Sequence, residues 1–276
     1  MAITAKDVNK LRQMTGAGMM DCKKALTEAN GDFDAAIDLL RKKGQKVSAS
    51  RADRETSEGS VFVKTNDDNT EAVLIAFTCE TDFVAKNDAF VTLGQAIVNS
   101  AFETKVATVD ELMNNKIDGL TVSDKIVELV GKIGEKLVVS EMISISGEAV
   151  VPYIHAGSKL GVLVELKGVN GADVVGAGKD VGMQIAAMSP VAVDQSEVAQ
   201  EVIDKELEIG REQALAEGKP ENIIDKIAQG KLQKFLKENT LLAQPFVKDN
   251  SLSIAKYLDS VSSGLTVASF KRVKIG

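Results

Sequence analysis

The residues best suited to covalent or metal chemistry are few in this sequence. It contains two cysteines, Cys22 and Cys79, and one histidine, His155, with no CxxC pair and no His/Cys cluster. A structural zinc site needs about four such ligands, and a thiol nucleophile needs a base close to it. Cys79 lies in an apolar stretch, where a buried inert thiol is the preferred interpretation. We therefore expect no catalytic residue, no metal site and no cofactor.

Two other motifs suggest ligand binding but lack the required pattern. The glycine-rich run Gly171–Gly182 reads GADVVGAGKDVG, which matches neither GxxxxGK[ST] nor GxGxxG. We interpret it as a flexible lead-in to a helix. The acidic run Asn66–Asn69 does not follow the EF-hand register, and a hairpin turn explains it better.

Composition narrows the class of protein further. The 276 residues include 33 Lys and Arg against 40 Asp and Glu, a net charge of −7, and 44% are hydrophobic. An acidic balance argues against direct nucleic-acid binding, which needs a concentrated basic surface. Since there is neither an apolar signal core nor a run of about 18 apolar residues, we expect no membrane contact and a cytoplasmic location. The length predicts about two to three folding units.

The N-terminal pattern predicts a bundle of three short helices over residues 4–43. Thr4 and Asp7 fit a capping box, and Val8, Leu11 and Met14 fall on one helical face. Gly44 should end the third helix. The basic, Ser-rich stretch 41–59 then indicates a linker or a solvated helix extension, so the bundle is predicted to act as a docking module.

The middle of the chain alternates strand and helix signals. A hairpin with strands Ser60–Lys64 and Glu71–Cys79 precedes a helix capped at Asn87, and residues 153–188 repeat this order at an offset of 89 residues. Duplication of a subdomain and chance similarity remain equally open. In either case the fold class is α+β with a two-subdomain core.

The last third predicts a helical hairpin and a short C-terminal module. Two amphipathic helices are separated by the turn Glu217–Pro220, where the proline suits a helix start, and the tail reads as one helix and a closing strand. Residues 1–50, 51–146, 147–195, 196–240 and 241–276 are the predicted segments: docking module, first and second core subdomains, hairpin, and the end of the core with the C-terminal module.

The sharpest functional feature is Thr81–Val84, the TDFV segment, between a buried strand and the Asn87-capped helix. By default Phe83 would pack inward and Asp82 would be a turn residue. Alternatively, an acid and a large apolar group on a rigidly held loop could insert into a partner as a wedge. His155 is similarly open: it is either half-buried and hydrogen-bonded or a contact on a binding rim.

Three motifs together resemble the bacterial elongation factor Ts family. They are TGAGMMDCKKAL at Thr15–Leu26, TDFVAKND at Thr81–Asp88 and YIHAGSKLGVLV at Tyr153–Val164. The resemblance implies a guanine nucleotide exchange factor for elongation factor Tu, acting on its GDP-bound and nucleotide-free forms. It implies a ubiquitin-associated-like three-helix module, a two-subdomain α+β core, a helical hairpin and a short C-terminal module. It leaves open a homodimer or 2:2 complex through the core or the hairpin.

The resemblance also assigns residues. It implies that the TDFV segment, Thr81, Asp82, Phe83 and Val84, inserts beside the nucleotide and Mg²⁺ site of the partner. Further partner contacts that it implies are Arg12, Met19, Met20, Lys23, His155 and Val247. Exchange needs no bond-making, which agrees with the scarcity of reactive side chains.

Two other classes of function compete with this one. The N-terminal bundle alone suggests a ubiquitin-like-binding or chaperone-type module, which would make the TDFV segment irrelevant. A small-molecule enzyme would instead depend on Cys79 or His155. Both explain fewer residues than the exchange-factor hypothesis.

Overall fold

The computed structural model describes residues 3–276 and has the mixed α+β architecture that the sequence predicts. The helices are α1 (Ala5–Thr15), α2 (Met19–Glu28), α3 (Phe33–Ser50), α4 (Asp82–Ala85), α5 (Asp88–Thr104), α6 (Val109–Asn114), α7 (Val122–Ile133), α8 (Val175–Met188), α9 (Gln200–Ala216), α10 (Glu221–Asn239) and α11 (Ile254–Val261). The strands are β1 (Glu58–Thr65), β2 (Glu71–Cys79), β3 (Lys116–Ile117), β4 (Leu120–Thr121), β5 (Val138–Ser146), β6 (Ala149–Ile154), β7 (Leu160–Lys167), β8 (Pro245–Phe246), β9 (Asp249–Ser253) and β10 (Thr266–Lys274).

The first three helices form a small bundle with its own core. Thr4 and Asp7 make the predicted capping box at the start of α1, and Gly16 ends that helix at φ 66°. This left-handed conformation suits glycine, which has no Cβ to clash. The core residues are Val8, Leu11, Cys22, Ala25, Leu26 and Ala36. Met14, which the pattern placed on the same face, is 56% exposed instead.

Helix α3 is longer than the sequence predicts. It continues through Gly44 to Ser50, so the expected end at Gly44 is wrong and part of the expected linker is helical. Gly44 is buried where α3 crosses α7: a Cβ added to Gly131 would lie 2.8 Å from the Gly44 Cα. The glycines therefore permit close helix packing rather than ending a helix.

Two three-stranded antiparallel sheets, in the orders β1-β2-β5 and β10-β7-β6, form the centre of the molecule. Helix α5 covers the first sheet and α8 covers the second, each burying an apolar face. The sheets face each other through residues that include Val61, Leu74, Val150 and Leu163. Both units thus run strand, strand, helix and then a later third strand. Strand β10, near the C-terminus, completes the second sheet.

The glycine-rich run does not behave as a flexible lead-in. Gly176, Gly178 and Gly182 lie inside α8, and a Cβ at Gly178 or Gly182 would come within 2.5 Å of Val151 or Tyr153 on β6. These two glycines let the helix pack closely on the sheet, so the earlier interpretation is corrected.

The predicted helical hairpin is present as α9 and α10, with Pro220 at the start of the second helix. The two helices approach closely at Gly210, where a Cβ would lie 3.0 Å from the Ala228 Cα. Within residues 3–276, no helix has the length and apolar character needed to cross a membrane.

Candidate partner-binding surface

The TDFV segment is a single helical turn rather than the predicted loop. Thr81 is extended (φ −127°, ψ 155°) and α4 follows directly at Asp82. The Glu135 carboxylate accepts the backbone N–H groups of Glu80 and Thr81 at 3.1 and 3.0 Å and the Thr81 hydroxyl at 2.7 Å. These three bonds fix the base of the turn. Glu135 lies just after α7 and 54 residues beyond Thr81 in the sequence. No local pattern therefore indicates its role.

Phe83 points away from the protein although it is a large aromatic residue. Its side chain is 83% exposed, whereas the neighbouring Val84 is only 8% exposed and joins the core with Phe90. The interpretation of Phe83 as core packing is therefore wrong. Val84 faces inward and holds the turn in place, so in the free chain Asp82 and Phe83 are the members of the segment with exposed side chains.

Asp82 is exposed beside Phe83 and pairs with Lys86 one turn later. The Lys86 Nζ lies 2.7 Å from Asp82 Oδ2. The hydrogen bond from Lys86, followed by its charge, lowers the pKa of Asp82, and Asp82 raises the pKa of Lys86 in return. An exposed pair of this kind adds little to the stability of the fold. Both charges lie on the outer face of the turn, beside Phe83.

The resemblance assigns four residues of the N-terminal bundle to partner contact, and we call them the docking surface. All four are exposed: Arg12, Met19, Met20 and Lys23. Met19 and Met20 are 54% and 63% exposed at the start of α2. Met14, which sequence reasoning did not assign to this surface, is also exposed, so the N-terminal bundle presents three methionines. Flexible thioether side chains adapt well to a partner surface.

His155 is exposed in the turn between β6 and β7, which contradicts the half-buried interpretation. Its Nδ1 lies 3.0 Å from the Tyr153 hydroxyl, so Tyr153 orients the ring. In the same turn, the Lys159 Nζ lies 2.6 Å from a Glu58 carboxylate oxygen. Since Glu58 pairs with Cys79 at the end of β2, this turn lies beside the strand end from which the TDFV segment leaves.

Val247 is 41% exposed on the short hairpin of β8 and β9. Its backbone N–H donates to Gln184 Oε1 at 2.9 Å, and the Gln184 amide donates to Gln244 Oε1 at 3.0 Å. Both glutamines are fully buried. A buried amide without partners is costly, so this pair holds the hairpin firmly on α8. Lys248 is engaged as well, 2.6 Å from Asp180.

Cys79 has none of the properties of a nucleophile. Its side chain is fully buried, and its Sγ donates to the Thr81 carbonyl at 3.2 Å. Burial, followed by the charges of Glu135 and Glu58, raises the pKa of the thiol to about 12. The reactive thiolate is therefore scarce at neutral pH, which agrees with the inert thiol expected from the sequence.

Exposed apolar and charged side chains on rigid supports are typical of a surface that binds another protein. The family model described as "Elongation factor TS" matches residues 80–276. The chain is 58% identical over 276 residues, covering 100% of both chains, to elongation factor Ts of Amoebophilus asiaticus (strain 5a2). It is 55% identical to that of Cytophaga hutchinsonii (274 residues, 99% of each chain) and 51% identical to that of Christiangramia forsetii (275 residues, 99% of each).

The chain therefore belongs to the elongation factor Ts family. It is a nucleotide exchange factor for elongation factor Tu in translation elongation, and not an enzyme that makes or breaks covalent bonds. The family model matches residues 80–276, which lie outside the N-terminal helices. The ubiquitin-like-binding alternative, which relied on those helices alone, is therefore set aside.

Proposed function

We propose that the chain releases GDP from elongation factor Tu by inserting Phe83 and Asp82 beside the nucleotide and Mg²⁺ site. The observation that carries the proposal is the exposure of Phe83: 83% of an aromatic side chain faces outward from a turn whose base is fixed by Glu135. Folding gains almost nothing from this ring in the free chain. A partner pocket that accepts it would gain the burial free energy.

The expected contribution follows from the size of the ring. Full burial of a Phe side chain is worth about 1.5–3 kcal/mol. Because the TDFV turn is already ordered by hydrogen bonds and by the buried Val84, little conformational entropy is lost on binding. Phe83 therefore has the features of a binding hot spot.

Exchange follows from thermodynamic reciprocity. If the inserted turn displaces the elements that hold GDP and Mg²⁺, the chain binds best when both are absent. Its binding must then weaken nucleotide binding by the same factor. A new nucleotide reverses the process, so the chain accelerates exchange without changing the overall equilibrium.

The remaining contacts are proposed to supply affinity and orientation. The docking surface would bind the GDP-bound and nucleotide-free partner, while His155 and Val247 would add contacts from the second sheet and the C-terminal hairpin. Such a role places the chain in the cytoplasm with its partner. A homodimer or 2:2 complex through the core or the helical hairpin stays a prediction.

The first test is release of a fluorescent GDP analogue from purified elongation factor Tu. At a saturating concentration of the chain, Phe83→Ala should slow stimulated release about 5- to 150-fold, the equivalent of 1–3 kcal/mol. Met188→Ala is the matched control because Met188 is also exposed (46%) but lies at the end of α8. Equal release rates for Phe83→Ala and the unmodified chain would refute the wedge assignment.

A further inference from the structure

We infer that three residues together position the TDFV segment relative to the N-terminal helices α1–α3. They are Arg54, Glu80 and Lys136, and we call them the junction. This inference rests on the proposed function, because it assigns these residues a role in aiming Phe83. It concerns positioning: none of the three is expected to touch the nucleotide.

The N-terminal bundle is rigidly attached to the core through α3. Helices α3 and α7 touch through their backbones at Gly44 and Gly131, where an added Cβ would collide with the facing helix. Arg41 on α3 also bonds to Glu128 on α7 at 3.1 Å. The direction of α3 is therefore fixed with respect to α7.

The chain segments that follow α3 and α7 meet at the base of the TDFV turn. Beyond α3, the Arg54 guanidinium bonds to Glu80 Oε2 at 2.7 Å. Beyond α7, the Lys136 backbone N–H donates to Glu80 Oε1 at 2.7 Å. The Lys136 Nζ donates to the carbonyls of Ala52 and Arg54 at 2.6 and 2.8 Å, which joins the two helix ends.

Glu80 connects these two helix ends to the TDFV segment. It directly precedes Thr81, and only 15% of its side chain is exposed. Burial alone would raise the pKa of Glu80, but the Lys136 N–H and the Arg54 guanidinium outweigh burial and lower it. The carboxylate is therefore ionised and has bonded partners from both helix ends, so Glu80 connects the orientation of α3 to the TDFV turn.

Loosening the junction should therefore change the maximal rate of GDP release without changing the affinity for the partner. Loosening the junction leaves Met19, Met20 and Phe83 present and exposed, but lets the turn change direction relative to the docked helices. We expect Arg54→Gln and Glu80→Gln to lower the maximal rate of stimulated GDP release about 3- to 10-fold, with the half-saturating concentration of the chain changed by less than about 2-fold. Arg54→Lys, which retains the cation, should restore part of the rate.

The matched control is Lys105→Gln. Lys105 pairs with Glu71 at 3.0 Å, so this variant also deletes the cation of an ion pair, at the opposite end of β2. It should leave both kinetic parameters unchanged. Circular dichroism and urea unfolding of each variant establish that the fold is retained, which the 52% exposure of the Arg54 side chain favours.

A double-mutant comparison separates this inference from the proposed function. If the junction acts through Phe83, Arg54→Gln should slow release in the unmodified chain and add little in a Phe83→Ala background. Equal slowing in both backgrounds, or a change in half-saturation without a change in maximal rate, would overturn the inference. An effect of Phe83→Ala without one of Arg54→Gln would overturn the inference alone, whereas no effect of Phe83→Ala would overturn the proposed function.

Discussion

At the residue scale, neighbouring side chains of the TDFV turn have opposite environments. Val84 enters the core and Phe83 stays outside, while Thr81 binds the Glu135 carboxylate. A one-turn helix has almost no stability of its own, since helix nucleation is unfavourable. The buried and hydrogen-bonded residues therefore order the turn, and the exposed ones remain available to the partner.

The buried thiol below this turn gives a prediction of pH dependence. The folded pKa of Cys79 is raised to about 12 from its ordinary value of 9.0, so the folded state holds the proton more tightly than the unfolded state. This stabilisation is fully present below pH 9 and is lost as the pH rises towards 12, at up to about 1.4 kcal/mol per pH unit. Urea unfolding measured from pH 8 to 10.5 should show this fall.

Cys79→Ala isolates the thiol from other groups that titrate in this range. Tyr257 is one such group, since burial, followed by its bond to Asp180, raises its pKa to about 12. The stability difference between the unmodified chain and Cys79→Ala should shrink as the pH rises above 9. A constant difference across the range would contradict the raised pKa.

Some of these residues could be assigned a role from the sequence, and others could not. The inert character of Cys79 follows from its apolar neighbours, and the motif singles out Phe83 as a candidate contact. Glu135 and the bond between Arg54 and Glu80 could not be predicted, because their partners are distant in sequence and are brought together only by folding.

At the element scale, glycines inside helices set how closely the elements approach. Gly94 on α5 faces the Phe62 ring, Gly178 on α8 faces Val151, and Gly131 on α7 faces Gly44. In each case a Cβ would come within 3 Å of an atom in the facing element. The intrinsic helix cost of glycine, about 1 kcal/mol, is offset by close packing.

Gly131→Ala therefore tests the crossing of α3 and α7. The new Cβ would lie 2.8 Å from the Gly44 Cα, so the helices must separate, and we expect a destabilisation of about 1–3 kcal/mol in urea unfolding. Gly230→Ala is the control, because Gly230 lies inside α10 with no facing atom within 4 Å. It should be neutral or stabilising by up to about 1 kcal/mol; equal effects of the two changes would contradict the packing role.

Glycines that serve packing also account for the two places where the sequence predicts the wrong helix bounds. The end of α1 at Gly16 is a local turn that the sequence TGAG at Thr15–Gly18 indicates without any distant partner. The local pattern at Gly44 and in α8 indicates a helix end and a flexible run, because a glycine needed for packing against a distant element gives the same local signal as one that ends a helix.

At the scale of the whole molecule, the exposed residues proposed to contact the partner lie on elements that pack continuously against one another. Residues 1–50 contain nine Lys and Arg against six Asp and Glu, although the chain as a whole carries −7. This excess of basic residues belongs to the segment with the docking surface, and α3 connects it to the core. The α+β class and the order of segments could be predicted from periodicity and motifs. The pairing of β10 with β7 could not, because a closing strand carries no signal of its partner.

The central claim is that two different surfaces of the chain have different roles. The docking surface supplies affinity for the partner, and the TDFV segment accelerates GDP release. The most direct measurement is the rate of GDP release from elongation factor Tu as a function of chain concentration, for the unmodified chain, Phe83→Ala and the double variant Met19→Ala/Met20→Ala. We predict that Phe83→Ala lowers the maximal rate, and that the methionine variant raises the half-saturating concentration about 10-fold or more while retaining most of the maximal rate. A Phe83→Ala curve that reaches the unmodified maximal rate would contradict the account.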